Sequence, residues 1–356
     1  MPDGTSNGLF WPRPSLQVDG QERPALAAAL LGLVITESVS SLFRCEAQFG
    51  NWNPGASANG FVYFDRQVLE FGKSFQVRFN DRPLFDGRIM AIEGQFPQGA
   101  PPRIVVLADD RLQDLRMTRR TRSFANVSAA DVFRQIAGDY GLNAQVDVTG
   151  PTAEVVNQIN QSDLAFLRDL ARGLDAELWV DGGTLHVQPR TRRGAATLEL
   201  TLGSRLREFS VTADLAGQRT SLLAHGWDVS AKEALRAEAT RDAISGELNG
   251  DDSGVSILAG AFGNRVESIA HSLPMSSTEA RGHAEAMFRA GARRFVVGRG
   301  VAETDAQLRV GTQLDLRGLG PLFSGKYYVS QVRHVFDSTN GIRTEFTGER
   351  PGIGRV

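Results

Sequence analysis

The sequence predicts an α+β fold that is mostly β: two duplicated small antiparallel β-barrel-like domains, an α+β insert between them, and a helical insertion in the second. Three observations lead there. The hexapeptide Pro83-Leu84-Phe85-Asp86-Gly87-Arg88 returns as Pro321-Leu322-Phe323-Ser324-Gly325-Lys326, with Pro, Leu, Phe and Gly identical and a cation closing both copies. The flanks keep step, because Gly72 lies 11 residues before Pro83 and Gly311 lies 10 before Pro321, each followed by alternating apolar residues. Between the copies the apolar period changes from that of a strand to that of a helix. Self-similarity on this scale constrains architecture before any single motif does.

Residues 1–14 form a polar tail rich in Gly and Pro, and the first β domain spans 15–111. Phe43, Cys45, Ala47 and Phe49 alternate with polar residues, which is the period of a half-buried strand and turns Cys45 inward. Gly87 and Gly325 are expected at equivalent positions, each followed by a strand (89–96 and 327–336). A further echo is the spacing of 14 residues from Thr36 to Gly50 and from Thr212 to Gly226. The α+β insert covers 112–190. Ser128 with Asp131 opens a helix that Gly141 stops, Ser162 caps a second helix, and Asp181-Gly182-Gly183 turns a hairpin. The second β domain is assigned to 191–229 and 296–350, interrupted by a helix-containing insertion at 230–295, and 351–356 is a C-terminal tail. Within the insertion 245–254 is read as flexible, and a capping box from Ser276 to Glu279 announces a helix whose core side carries Ala280, Ala284, Met287, Phe288, Gly291 and Phe295.

At 356 residues the chain exceeds a single core. A net charge of -2 argues against a general nucleic-acid or anionic-membrane binder, and the single Cys45 excludes an internal disulfide or a CxxC metal site. The longest apolar run, 25–35, is half of what a membrane span needs. No secretory signal is visible.

The motifs that carry chemistry elsewhere fail in context. Residues 320–326 match GxxxxGK, but Tyr327 follows where Ser or Thr is required, and a strand pattern follows where a helix is required. The histidines at 186, 225, 271, 283 and 334 have no metal-ligand spacing. Asp109-Asp110 and Asp251-Asp252 sit beside turn signals and are read as solvated loop acids, and His334, Asp109 and Asp251 are expected to matter little when replaced. No catalytic, cofactor-binding or metal-binding residue is nominated. The densest basic run, with Arg116, Arg119, Arg120 and Arg122, is a candidate partner-facing surface. It lacks the aromatic interleaving of a nucleic-acid site. The repeat supplies the candidate structural and interface residues: Pro83, Leu84, Phe85, Gly87, Pro321, Leu322, Phe323, Gly325, Tyr327 and Tyr328.

With these residues laid out, the chain resembles the phage late control gene D family of tail-hub proteins, found also as the N-terminal part of type VI secretion spike proteins and in extracellular contractile injection systems. The resemblance rests on Asp110-Arg111-Leu112 with 119–124, on 160–171 with its Gln161-Ser162-Asp163-Leu164-Ala165-Phe166-Leu167, on 179–186, and on 325–350. Gln161 stands where the family usually has glutamate, and neither an oligonucleotide-binding-type barrel nor a Val-Gly spike repeat is present. The resemblance implies a structural, non-enzymatic baseplate hub: a homotrimer joining a separate threefold spike to a sixfold inner tube, with baseplate wedge or tape-measure components as further partners. Two β units in each of three chains would give six quasi-equivalent positions, which resolves the symmetry mismatch. It further implies no small-molecule substrate, no direct nucleic-acid recognition, no membrane insertion of its own, and assembly in the bacterial cytoplasm into a tail-like particle, with release alongside it. The second reading is a cell-wall (peptidoglycan) hydrolase or glycan-binding module at a tail tip.

Overall fold

The computed structural model describes residues 13–55, 60–194, 196–228, 231–269 and 276–355. Most of the N-terminal tail and His271 lie outside these residues. A thirteen-stranded sheet forms the frame. One half of it runs, in spatial order, Leu30–Ser38, Arg44–Gly50, Arg103–Asp109, Arg82–Gln95, Ser74–Phe79 and Ser15–Val18. The other half runs Leu206–Ala213, Val296–Glu303, Gly341–Arg350, Gly325–Asp337, Gln313–Arg317 and Thr197–Thr201. The two halves use their strands in the same chain order, and neighbouring strands pair antiparallel in both, except that Ser15–Val18 is antiparallel to its neighbour and Thr197–Thr201 parallel.

The correspondence extends to irregularities. A bulge lies between Leu30 and Gly32 in one half and between Leu206 and Glu208 in the other; a second lies between Ile89 and Ala91, and between Val329 and Gln331. Bulges bend a strand at a set place, so shared bulges mean shared curvature. Gly72 and Gly311 both have positive φ, at 78° and 94°, where a side chain would be strained. Each donates its amide to the strand one position before the bulge, Gly72 to the Ile89 carbonyl at 2.8 Å and Gly311 to the Val329 carbonyl at 3.0 Å.

The repeated hexapeptide is not superposed in this scheme. In the first copy the strand Arg82–Gln95 runs straight through it, with Phe85 opposite Val77 and Gly87 opposite Phe75. In the second copy Gly320–Phe323 winds into one helical turn with Pro321 at its start, and the strand begins only at Gly325, opposite Leu316. Pairing therefore sets Phe85 against Gly325 and Gly87 against Tyr327, two residues away from the sequence match. A slip of two keeps the facing, which is why the apolar pattern survives it. The sizes compensate. A Cβ on Gly87 would collide with the Phe85 ring and the Asp109 carbonyl, whereas at the corresponding site Tyr327 fills the space and Gly348 lies against its side chain. The Thr36 and Thr212 positions correspond through their pairings, but Gly226 does not correspond to Gly50. Its strand, Ser221–Asp228, belongs to a separate sheet with Glu233–Thr240 and Val266–Ile269.

The insert packs its own core. Its helices are Ala129–Asp139, begun by a reciprocal Ser128 and Asp131 capping box, and Asp163–Gly173, capped by Ser162. The hairpin Ala176–Asp181 and Thr184–Pro189 carries Leu178, Leu185 and Val187 into that core. The insertion in the second half begins at Ser221, not at residue 230, and holds that three-stranded sheet, the short strand Asp252–Ser253 and the helices Gly254–Phe262 and Ser277–Ala292. The segment 245–254 is ordered: Ser253 accepts a bond from the Ser256 amide and starts a helix. Met287 is 38% exposed and does not join the core face. At the C-terminus Gly352–Ile353 pairs with Asp252–Ser253, so 351–356 is not a free tail.

Gly87→Ala is expected to lower the stability of the first half by about 1–3 kcal/mol, the usual cost of overpacking, while Gly50→Ala, where φ is not positive and a Cβ meets only an ordinary contact at 3.9 Å, changes it by less. Urea unfolding of both variants checks this, and equal midpoints would contradict the packing account.

Candidate assembly interface

The two halves meet on one strand. In Gly325–Asp337 the first four residues pair with Gln313–Leu316 of their own half, with Tyr328 opposite Gln313. Past the bulge, Gln331 to Asp337 pair on that same side with Ser38 to Gly32 of the first half. The opposite edge stays with Gly341–Arg350 from Tyr328 to Asp337. Phe336, 2% exposed, thereby enters the core of the first half beside Leu33 and Ile35.

Beside this seam is a buried ionic cluster. Glu37 continues the inward face of Leu33 and Ile35, and it is 7% exposed. Its carboxylate accepts from Arg309 Nε at 2.7 Å, from a second Arg309 nitrogen at 3.1 Å, and from the Val310 amide at 3.2 Å, with Arg193 at 3.5 Å. Burial alone would raise the Glu37 pKa, but Arg309 and Arg193 outweigh it and hold the group below its ordinary value. Arg193 also donates to Glu177 at 2.9 Å and lies over Trp179, and Glu177 accepts from the Tyr328 hydroxyl. Arg190 stacks on Tyr328 and pairs with Glu349 at 2.8 Å. One connected cluster thus ties the first half (Glu37), the insert (Glu177, Trp179) and the second half (Arg309, Tyr328, Glu349). Charges buried this deeply hold only when each is paired, because removing one partner strands the other.

Several residues read from sequence as peripheral are internal. His334 is 1% exposed on the seam strand, with Nδ1 at 2.8 Å from the Thr344 hydroxyl. Burial, with Arg309 nearby, lowers its pKa to about 4, so the ring is neutral at pH 7. Asp109 is 4% exposed and pairs with Arg44 at 2.7 Å. Asp110 accepts from the Phe43 and Leu112 amides, and burial raises its pKa to about 7. Asp251 pairs with the buried Arg350. The continuous apolar run from Ile104 to Ala108 that Asp109 ends was the available signal for its burial, and turn vocabulary obscured it.

The basic run also turns inward in part. Asp163, fully buried at the first position of its helix, accepts from Arg120 at 3.1 Å, Arg122 at 2.8 Å, Gln158 at 2.8 Å and the Tyr140 hydroxyl at 2.7 Å. Arg120 and Arg122 therefore brace the insert against itself, Arg122 half-buried and Arg120 exposed like Arg116 and Arg119. Of the repeat residues, Leu84, Phe85, Tyr327 and Tyr328 are buried within the chain, Phe323 and Gly325 are half-buried, and Pro83, Pro321 and Leu322 are exposed. Gly320 and Lys326 flank a single turn followed by a strand, which leaves no helix N-terminus for a phosphate. Among the described residues no three His, Cys, Asp or Glu side chains converge as a metal site, and no helix is long and apolar enough to cross a membrane.

A family model described as "Alg8 N-terminal domain" matches residues 58–337. The chain belongs to that family. No curated protein matches it in sequence. Among solved structures it shares its fold with phage tail proteins. The 43 kDa tail protein of prophage MuSo2 from Shewanella oneidensis superposes with a TM-score of 0.72 at 11% identity, over 95% of this chain and 98% of that one. A tail protein from Neisseria meningitidis MC58 gives 0.66 at 12% identity, over 97% and 98%. The E. coli c3393 protein, described as a component of the type VI secretion system, gives 0.57 at 13% identity, over 96% of this chain and 79% of that one.

The seam makes stability acid-sensitive with a defined sign. His334 has a folded pKa of about 4 against an ordinary 6.5, so its contribution is complete above pH 6.5 and lost as pH falls through 4. Between pH 7 and pH 4 the His334→Gln variant is expected to lose about 3 kcal/mol less stability than the parent. Urea titrations at both pH values measure this, and equal losses would contradict it.

Proposed function

We propose that the protein is a structural tail hub of a contractile, phage tail-like injection machine, of the late control gene D type, and that three copies form the ring that joins a spike to an inner tube. The observation that carries this reading is the doubled strand order. A single half-sheet plan, used twice in one chain with the same bulges, gives a threefold assembly six similar β units to present to a sixfold tube. The likeness of fold to tail proteins over nearly the full length of both chains supports the same reading. So does the placement of polar groups: among the described residues Glu37, Asp109, Asp163, Arg193, Arg293 and Arg350 are each bonded to an oppositely charged side chain from another element, as a rigid scaffold requires.

In this reading the domain plan is two β units carried on a ring, with the insert and the helical insertion projecting from it. Arg116 and Arg119 supply an exposed basic edge toward wedge or tape-measure components. Spike and tube proteins are the partners, and no substrate, cofactor or metal takes part. Assembly occurs in the cytoplasm of the producing bacterium, and the chain leaves with the particle.

Light scattering of the purified protein, alone and with its spike, is expected to give three times the chain mass in at least one of the two conditions. A monomer in both would overturn the proposal. Hydrolysis of peptidoglycan that disappears on changing one carboxylate would replace it with the enzymatic reading.

A further inference from the structure

The seam inside the chain has an unfilled counterpart. Carried through the shared pairings and bulges, the seam strand Gly325–Asp337 corresponds to Arg82–Gln95 and its partner Leu30–Ser38 corresponds to Leu206–Ala213. Arg82–Gln95 pairs with Ser74–Phe79 only as far as Arg88. Ile89 is bonded there to Gly72 and Lys73, and among the described residues 91–95 have no strand on that side, where the second half receives Leu30–Ser38. Leu206–Ala213, for its part, has Val296–Glu303 as its strand partner and stands at the end of the sheet; past the isolated bridge of Leu206 to Leu202, no strand lies on its outer edge among the described residues. A free edge of this length invites pairing unless it is charged, bulged away or covered.

The side chains tell the same story. Phe336 is 2% exposed because Leu33 and the first half cover it, whereas Phe96, its counterpart by register, is 66% exposed. Val332 is buried and its counterpart Ile92 only half-buried; Ile35 is buried and its counterpart Val211 only half-buried. The unburied members are the ones whose seam partner is missing.

We infer that the outer edge of Leu206–Ala213 of one copy pairs antiparallel with residues 91–95 of the next, reproducing between copies the seam that joins the two halves within each. This rests on the ring reading above and specifies its contact. The internal seam sets the register: Ser38 opposite Gln331 and Thr36 opposite Arg333 become Asp214 opposite Ala91 and Thr212 opposite Glu93. Phe96 would lie opposite Phe209, whose ring already stacks on Phe346 at 6.2 Å. The contact is head to tail, since the two edges are different surfaces, so it closes into a ring when the rotation allows. The position equivalent to Glu37 is Ala213. The ionic clamp of the internal seam therefore has no counterpart, and the joint between copies relies on backbone pairing and apolar cover.

Glu93→Cys combined with Thr212→Cys tests the register directly. Opposed residues of an antiparallel pair lie about 4.5–5.5 Å apart at Cα, within disulfide reach, and the native Cys45 is buried and does not compete. Oxidation is expected to give covalent species of two and three chains on a non-reducing denaturing gel, ending at three. Glu93→Cys with Ser210→Cys, out of register by two residues, should give at least tenfold less. Equal yields from the two pairs, or no cross-link while light scattering still reports the oligomer, would overturn this seam and leave the ring standing. A monomer by light scattering would overturn the ring itself, and a ladder continuing beyond three would keep the seam and remove threefold closure. Amide exchange on the unaltered oligomer gives a second reading. Slow exchange at 208–213 and 91–95 is expected, and fast exchange there would overturn the proposal.

Discussion

The strand Gly325–Asp337 is the constraint on which the remainder of the structure depends. It is longer than the partner its own half supplies, and the bulge between Val329 and Gln331 bends it at the point where that partner ends. The overhang takes up Leu30–Ser38, and one sheet becomes continuous across two repeats. Backbone pairing fixes distance and direction but leaves sliding by two residues open, since the facing would be preserved. The Glu37 cluster removes that freedom. A carboxylate with bonds from Arg309 and the Val310 amide occupies one register only, because any slip leaves a buried charge unpaired. Such a cluster need not add net stability to specify position.

Much of the frame was legible in the sequence, for reasons that can be named. Gly72 and Gly311 stand out because positive φ restricts the choice of residue, and alternation around Cys45 and Leu314 exposes half-buried strands. Ser128 and Ser162 mark helix starts because orphan amides there need a side-chain acceptor. The hexapeptide misled in detail. Six residues can match for local reasons, and here the same letters make a strand in one place and a helical turn in the other, with the pairing partners two residues out of step. The start of the insertion was misplaced because Ser221–Asp228 has the pattern of any half-buried strand, and alternation does not say which sheet receives it.

The contacts that matter most to the proposed role were the least legible. Glu37 was visible in principle as a charge on the face of Leu33 and Ile35, but its partners lie more than 150 residues away. His334, Asp109 and Asp251 looked peripheral because polar residues usually are. Burial converts them into fixed struts whose protonation follows the fold. The same holds for Arg120 and Arg122, which from sequence alone were indistinguishable from a solvated basic edge and prove to hold the buried Asp163. In the proposed role a scaffold built this way is rigid without chemistry, and its unpaired edges are where it would meet other molecules.

Electron microscopy of the purified oligomer tests the central claim most directly. Class averages viewed down the axis are expected to show a closed ring of three chains and six β lobes of similar size, with alternate lobes carrying the helical insertion. Isolated single chains, or a ring whose lobe count is not twice three, would contradict the account.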